Sequence, residues 1–175
     1  MSGWLPRRSS GAVPCGGVDD DSPLGQAREW LIEQVDEHDK ATCPLCDKLA
    51  NLYHRMLYGD PLAGLIKAHK KYEQDWFHWA RVVGAQGGDG AKLEHWGLMQ
   101  RASRERDPKE PGVGYWRLTD RGDAFVRNTI TVPRCARIVG IRNRFVRWCD
   151  DKHPGETNIR SALGKNFDYD ELMGF

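Results

Sequence analysis

Nothing in this chain approaches the roughly 18 consecutive apolar residues of a membrane-spanning helix, and Arg7 and Arg8 are not followed by the apolar segment of a secretory leader. Neither membrane insertion nor export is expected. Cysteine is sparse and odd in number, five in 175 residues, unlike the even, dense set that staples small secreted domains. Net charge is nearly absent at +1, and no internal repeat is present. Catalytic signatures are missing too. Gly84 to Gly90 is rich in glycine but lacks the Lys-Ser/Thr of a phosphate-binding loop. There is no nucleophile elbow, no His-Glu-x-x-His and no pair of metal-binding carboxylates. Asp19-Asp20-Asp21 lies in a tail rich in Gly, Pro and Ser, where solvated acids are the plain reading. The pattern reads as a non-enzyme.

What is present is a folded, water-facing chain. Hydrophobic residues make up 39%, with seven Trp, and the length suits one compact domain, or a domain with an appendage. Charge is unevenly spread. Residues 1–75 carry 9 basic and 12 acidic side chains, residues 76–149 carry 14 and 7, and residues 150–175 carry 3 and 6. The middle segment is the one suited to a polyanion, although a lopsided segment can also be only a solvated face.

In chain order, residues 1–22 lack periodicity and read as a flexible tail. Ser22-Pro23 predicts a helix start, with Trp30, Leu31 and Val35 on the apolar side and an end near Asp39. After Cys43-Pro44-Leu45-Cys46, a helix is predicted from Asp47 to Tyr58. Asp60 as N-cap and Pro61 as first residue open another, whose face is Leu62, Leu65, Ile66 and His69. Trp76 to His78 reads as a short strand, Trp79 to Ala85 as a helix, and Gly90 to Trp96 as a second helix capped by Asp89. Leu93 and Trp96 face inward, and Gly97 sits where a helix ends in a left-handed cap. Leu98 to Ala102 and Tyr115 to Leu118 read as strands around a charged Pro/Gly loop, and Thr119 caps a following helix.

Leu93-x-x-x-Gly97-Leu98-Met99-x-Arg101, followed by Leu118-Thr119-x-x-Gly122-x-x-Phe125, resembles the recognition-helix and wing signature of MarR-like and PadR-like winged-helix regulators. The stretch from Ile159 to Met173 is similar to the ends of small phage-encoded winged-helix proteins. The resemblance implies an α+β, mostly α winged helix-turn-helix with N-terminal helices. Its parts would be the tail 1–22, a helical segment 23–75 holding the Cys-x-x-Cys, a winged-helix core 76–132, and a C-terminal hairpin with a short helix and tail, 133–175. It also implies duplex DNA as partner, read by Lys92 and His95 from the recognition helix. Arg101, Arg104, Arg106 and Lys109 along the wing, with Arg117 and Arg121 beside it, would contact phosphates or the minor groove. The role would be that of a transcription regulator or phage accessory factor, in the cytoplasm of a bacterial host or phage-infected cell, and a homodimer is compatible with it.

Cys43 and Cys46 have the spacing of two zinc ligands. His38 and His54 lie on either side, and Cys135 and Cys149 are distant candidates to complete a structural zinc site. Residues 134–149 read as a β-hairpin turning near Arg142-Asn143, which would set those two cysteines opposite each other. They would then complete a four-cysteine site, pair together, or stay buried thiols. A redox motif and idle thiols also remain open at Cys43 and Cys46. The rival to DNA binding is a winged helix used as a protein-interaction module with a structural zinc, its partner a host or phage protein.

Overall fold

A computed structural model describes residues 23–83, 88–102, 114–140 and 144–175 of the chain. It is an α+β fold with antiparallel sheets. The described residues divide into two compact units, one made of 23–53 with 139–140, the other of those within 54–138 and 144–175.

The first unit opens with α1 (Leu24–His38), which buries Ala27, Leu31 and Val35 at helical spacing. Pro23 is its N-cap, and Ser22 lies outside the described residues. Asp39 ends it in the left-handed region, at φ 62°. The chain then reverses into a hairpin of β1 (Lys40–Thr42) and β2 (Leu49–Met56), with Lys40 opposite Asn51 and Thr42 opposite Leu49. The helix predicted over Asp47 to Tyr58 is therefore corrected to a strand. Its apolar residues fit either period, but burial follows a period of two: Ala50 and Leu52 are inside, Leu49 and Tyr53 outside. Pairing to β1 satisfies the backbone that a helix would have satisfied internally, and long-range pairing overrides propensity.

The second unit is built around α2 (Asp60–Tyr72), whose buried side includes Leu62, Leu65, Ile66 and His69. Gly59 is the N-cap, at φ 60°, so Asp60 and Pro61 each fall one position further into the helix than predicted. The chain continues through β3 (Phe77–His78), α3 (Ala80–Val83), a 3₁₀ helix (Gly88–Trp96), β4 (Met99–Arg101), β5 (Tyr115–Leu118) and α4 (Asp120–Val126). The three strands form an antiparallel sheet in the order β3-β5-β4. Gly97, at φ 67°, ends the 3₁₀ helix as expected. The Thr119 hydroxyl accepts from the Gly122 N–H at 3.0 Å and donates to the Gly97 carbonyl at 2.6 Å, tying the start of α4 to that turn.

The segment Gly90 to Trp96, predicted to be α-helical, is 3₁₀. Gly90, Leu93 and Trp96 are all buried, at intervals of three, which a helix with three residues per turn aligns on one face. The Trp79 ring occupies the space that a side chain at Gly90 would need.

Beyond α4 come β6 (Val132–Pro133), β7 (Cys135–Val139), β8 (Arg144–Trp148), β9 (Glu156–Thr157), α5 (Ile159–Leu163) and α6 (Tyr169–Met173). β7 and β8 are neighbours, as the predicted hairpin requires, while β6 pairs with β9. The Asn158 side chain caps α5 and that of Asp168 caps α6. Three ties hold α6 down. The Tyr169 hydroxyl donates to the Val126 carbonyl at 2.8 Å, Arg160 makes two hydrogen bonds to the Asp170 carboxylate, and Lys70 Nζ donates to the Leu172 carbonyl. One core joins these elements, with Leu62, Leu65, Phe77, Leu93, Leu98 and Phe125 among its fully buried side chains. Among the described residues no helix is long and apolar enough to cross a membrane.

Candidate functional site

Strand alternation sorts the β3-β5-β4 sheet into two faces. Phe77, Trp116, Met99 and Leu118 point into the core. His78, Tyr115, Arg117 and Gln100 lie on the other face, where Gln100 stands opposite Arg117 and His78 opposite Tyr115. The Arg117 guanidinium lies 4.8 Å from the centre of the Trp76 ring and donates to Gln100 Oε1 from Nε at 3.2 Å and Nη2 at 2.9 Å. Those bonds occupy two of its five N–H donors and leave the planar group held in one orientation. At the strand end, Arg101 lies 4.7 Å from the Trp116 ring centre, with Nη2 3.4 Å from Glu94. Arg121 is exposed on α4, beside Gly97. Three cations thus surround the base of the β4–β5 ribbon.

The 3₁₀ helix presents less. Glu94 is exposed and Lys92 half-buried. His95 stacks on Phe145 of β8, ring centres 6.2 Å apart. Burial pushes its imidazole below the ordinary histidine value; Arg101 and Lys92 push the same way and Glu94 opposes them. Trp96 packs beside Trp148 and donates its indole N–H to the Pro133 carbonyl at 2.6 Å. The C-terminal strands therefore cover part of this helix. Arg104, Arg106 and Lys109 lie outside the described residues.

Among the described residues, the cysteines separate into two groups. Cys43 and Cys46 are free thiols at the tip of the β1–β2 hairpin. There the Cys43 N–H donates to the Lys48 carbonyl, the Asp47 N–H donates to the Cys43 carbonyl, and Asp47 takes a φ of 54°. A hydrogen bond from the Lys48 backbone, and a second with the Cys43 side chain, hold the Cys46 thiol below its ordinary value. His38 is exposed, 3.7 Å from Glu37.

Cys135 and Cys149 form a disulfide, with Cα atoms 5.3 Å apart. Of the three roles open to them, pairing together is the one found. The four-cysteine zinc site is corrected on that ground, because both distant sulfurs are bonded to each other. His54, on a strand rather than a helix, places Nδ1 3.5 Å from Cys149 Sγ. One ligand atom from each of His54, Cys135 and Cys149 falls within 4.8 Å of the others.

Reading the sequence missed His153, whose ring lies 6.1 Å from that of His54, edge to face. Its signal was the Cys149-x-x-x-His153 spacing. It also missed Trp76 and Gln100 as the groups that hold Arg117, for which only strand register carries a signal. The chain matches no protein-family profile, no curated protein and no solved structure.

Proposed function

We propose that the second unit binds duplex DNA in the manner of a winged-helix module, led by the β4–β5 ribbon. The observation that carries this is the strand order β3-β5-β4 in a chain that runs helix, strand, helix, 3₁₀ helix, strand, strand. That order supports a wing at the loop between β4 and β5. Arg101, Arg117 and Arg121 supply cations at its base, and aromatic rings fix two of them. Because His95 is stacked on Phe145, few side chains are left to read base edges, and phosphate contacts dominate. The role is thus closer to that of an accessory factor with relaxed sequence preference than to a regulator tied to one operator.

A labelled generic duplex titrated with the full chain across ionic strength tests this. Affinity should fall as salt rises, with a log–log slope of about −0.9 for each phosphate neutralised. Arg117→Ala should lower affinity and reduce the slope by about one. Absence of binding at low salt, or an Arg101→Ala/Arg117→Ala variant that binds like the parent, overturns the reading.

A second reading, a protein-interaction module with a structural zinc, is favoured by the hairpin tip. There the Cys-x-x-Cys thiols are free and that of Cys46 is eased toward thiolate, the form that binds metal. Co-purification of a protein partner that survives nuclease treatment would select it.

A further inference from the structure

A disulfide between neighbouring strands has no need of histidines. Yet His54 stands at the Cys135–Cys149 bridge, and His153 stands beside His54. His54 projects from β2 with Nδ1 3.5 Å from Cys149 Sγ, and the His153 ring lies edge-on to it at 6.1 Å. The chemistry of the four side chains, two thiols and two imidazoles, is that of a tetrahedral zinc site.

The distances agree. With Zn–N near 2.0 Å and Zn–S near 2.3 Å, a nitrogen–sulfur edge of the tetrahedron is about 3.5 Å and a sulfur–sulfur edge about 3.8 Å. The His54–Cys149 separation already has the first value. Three ligand atoms already lie within 4.8 Å of one another. The sulfur pair must open, which the Cα separation of 5.3 Å allows without moving the strands, and the exposed His153 side chain must swing in from beside His54. The fourth ligand sits on the same short loop as the third, at Cys149-x-x-x-His153, a spacing found among zinc ligands. His153 is exposed, so an ion has a way in, while both cysteines are buried. The group is distinct in sequence and ligand set from Cys43 and Cys46.

We infer that His54, Cys135, Cys149 and His153 form a redox-gated zinc site, closed to metal in the disulfide form described here and open in the reduced form. A thiol reductant supplies two electrons: the Cys135–Cys149 bond breaks, two cysteine thiols form, and the reductant leaves as its own disulfide. Zn²⁺ then displaces one proton from each thiol and takes the two imidazole nitrogens, giving a neutral Cys₂His₂ complex. Oxidation by a disulfide of the same class reverses the sequence and releases the ion. Soft thiolates with imidazoles favour zinc over calcium or magnesium.

Co²⁺ is the probe, because tetrahedral thiolate–imidazole coordination gives it visible ligand-field bands and a thiolate charge-transfer band. The full chain is used in a Cys43→Ser/Cys46→Ser background, which removes the other thiols of the described residues. Fully reduced protein should take up one equivalent of Co²⁺ with a tetrahedral spectrum, and excess Zn²⁺ should abolish it. The oxidised protein should give none. His54→Ala and Cys149→Ser should each lose the spectrum, and His153→Ala should shift it and weaken binding.

In parallel, Zn²⁺ should protect Cys135 and Cys149 of the reduced chain from alkylation, read by peptide mass spectrometry. This second readout does not depend on a substituted ligand folding. A reduced protein that binds no Co²⁺, an uptake indifferent to His54→Ala, or cysteines alkylated equally with and without Zn²⁺ overturns the inference. None of these readouts involves DNA, so they stand apart from the duplex titration.

Discussion

The Leu98 carbonyl oxygen occupies the space in which a side chain on Gly122 would begin. Gly122 stands in the first turn of α4, and its N–H is held by Thr119, so the backbone there cannot retreat without breaking the cap. Gly122→Ala should destabilise the protein by about 1–3 kcal/mol, the usual cost of overpacking. Urea unfolding should show the midpoint fall with an unchanged slope. Gly25→Ala, where a side chain would meet nothing within 4 Å, is the matched control and should not destabilise. Equal effects at the two positions would refute the close approach.

Two side chains tie distant segments through a single hydrogen bond each. Trp96 Nε1 donates to the Pro133 carbonyl, and the Tyr169 hydroxyl to the Val126 carbonyl. Trp96→Phe and Tyr169→Phe should each cost about 1–2 kcal/mol, because each leaves a carbonyl without its donor. Melting temperatures of the two variants and their double mutant measure this. The bonds share no residue, so the losses should add.

His95 gives a pH dependence of known sign. Its folded value is depressed by burial, while an unfolded histidine titrates near 6.5. As pH falls, the unfolded chain takes up its proton first, so stability falls with it. The contribution is fully present above about pH 6.5 and is lost as pH drops from there through the lower folded value. Urea midpoints of the parent should fall more steeply between about pH 7.5 and 5 than those of His95→Phe. Parallel curves would show that His95 titrates alike in both states.

Cys46 is exposed and its thiol is shifted toward the thiolate by the Lys48 backbone. Iodoacetamide should therefore modify Cys46 ahead of Cys43, and its rate should persist below the pH at which an ordinary thiol, near 8.5, loses reactivity. Mass spectrometry of timed digests reads the order. Faster labelling of Cys43 would contradict the arrangement at the hairpin tip.

What could be read from the sequence was local chemistry. Thr119 as a cap and Gly97 as a left-handed stop each depend on a few neighbouring residues, and the hairpin that sets Cys135 opposite Cys149 depends on one turn, which leaves open whether the two cysteines pair. The failures share a different cause. Leu49 to Met56 is a strand because Lys40 to Thr42 lies alongside it, and nothing inside the segment says so. Gly90 to Trp96 is 3₁₀ because its buried residues repeat every three positions against a core that includes Trp79. His54 and His153 are 99 positions apart and meet only through the fold. The hold on Arg117 comes from Trp76 and Gln100, through pairing across strands. Positive charge along the middle of the chain was visible as a total, but which cations are already engaged was not.

The placement of α2 has a consequence for hydrogen exchange. Its buried residues pack against α3, α4, α5, α6, β5 and the 3₁₀ helix. Any one of those can open while the rest still cover α2, but its own amides reach solvent only when most of its neighbours have left. Exchange at Leu65 and Ile66 should therefore follow the global unfolding free energy, while amides of the short outer helices exchange through smaller openings. In deuterated buffer α2 would serve as the molecule's slowest clock.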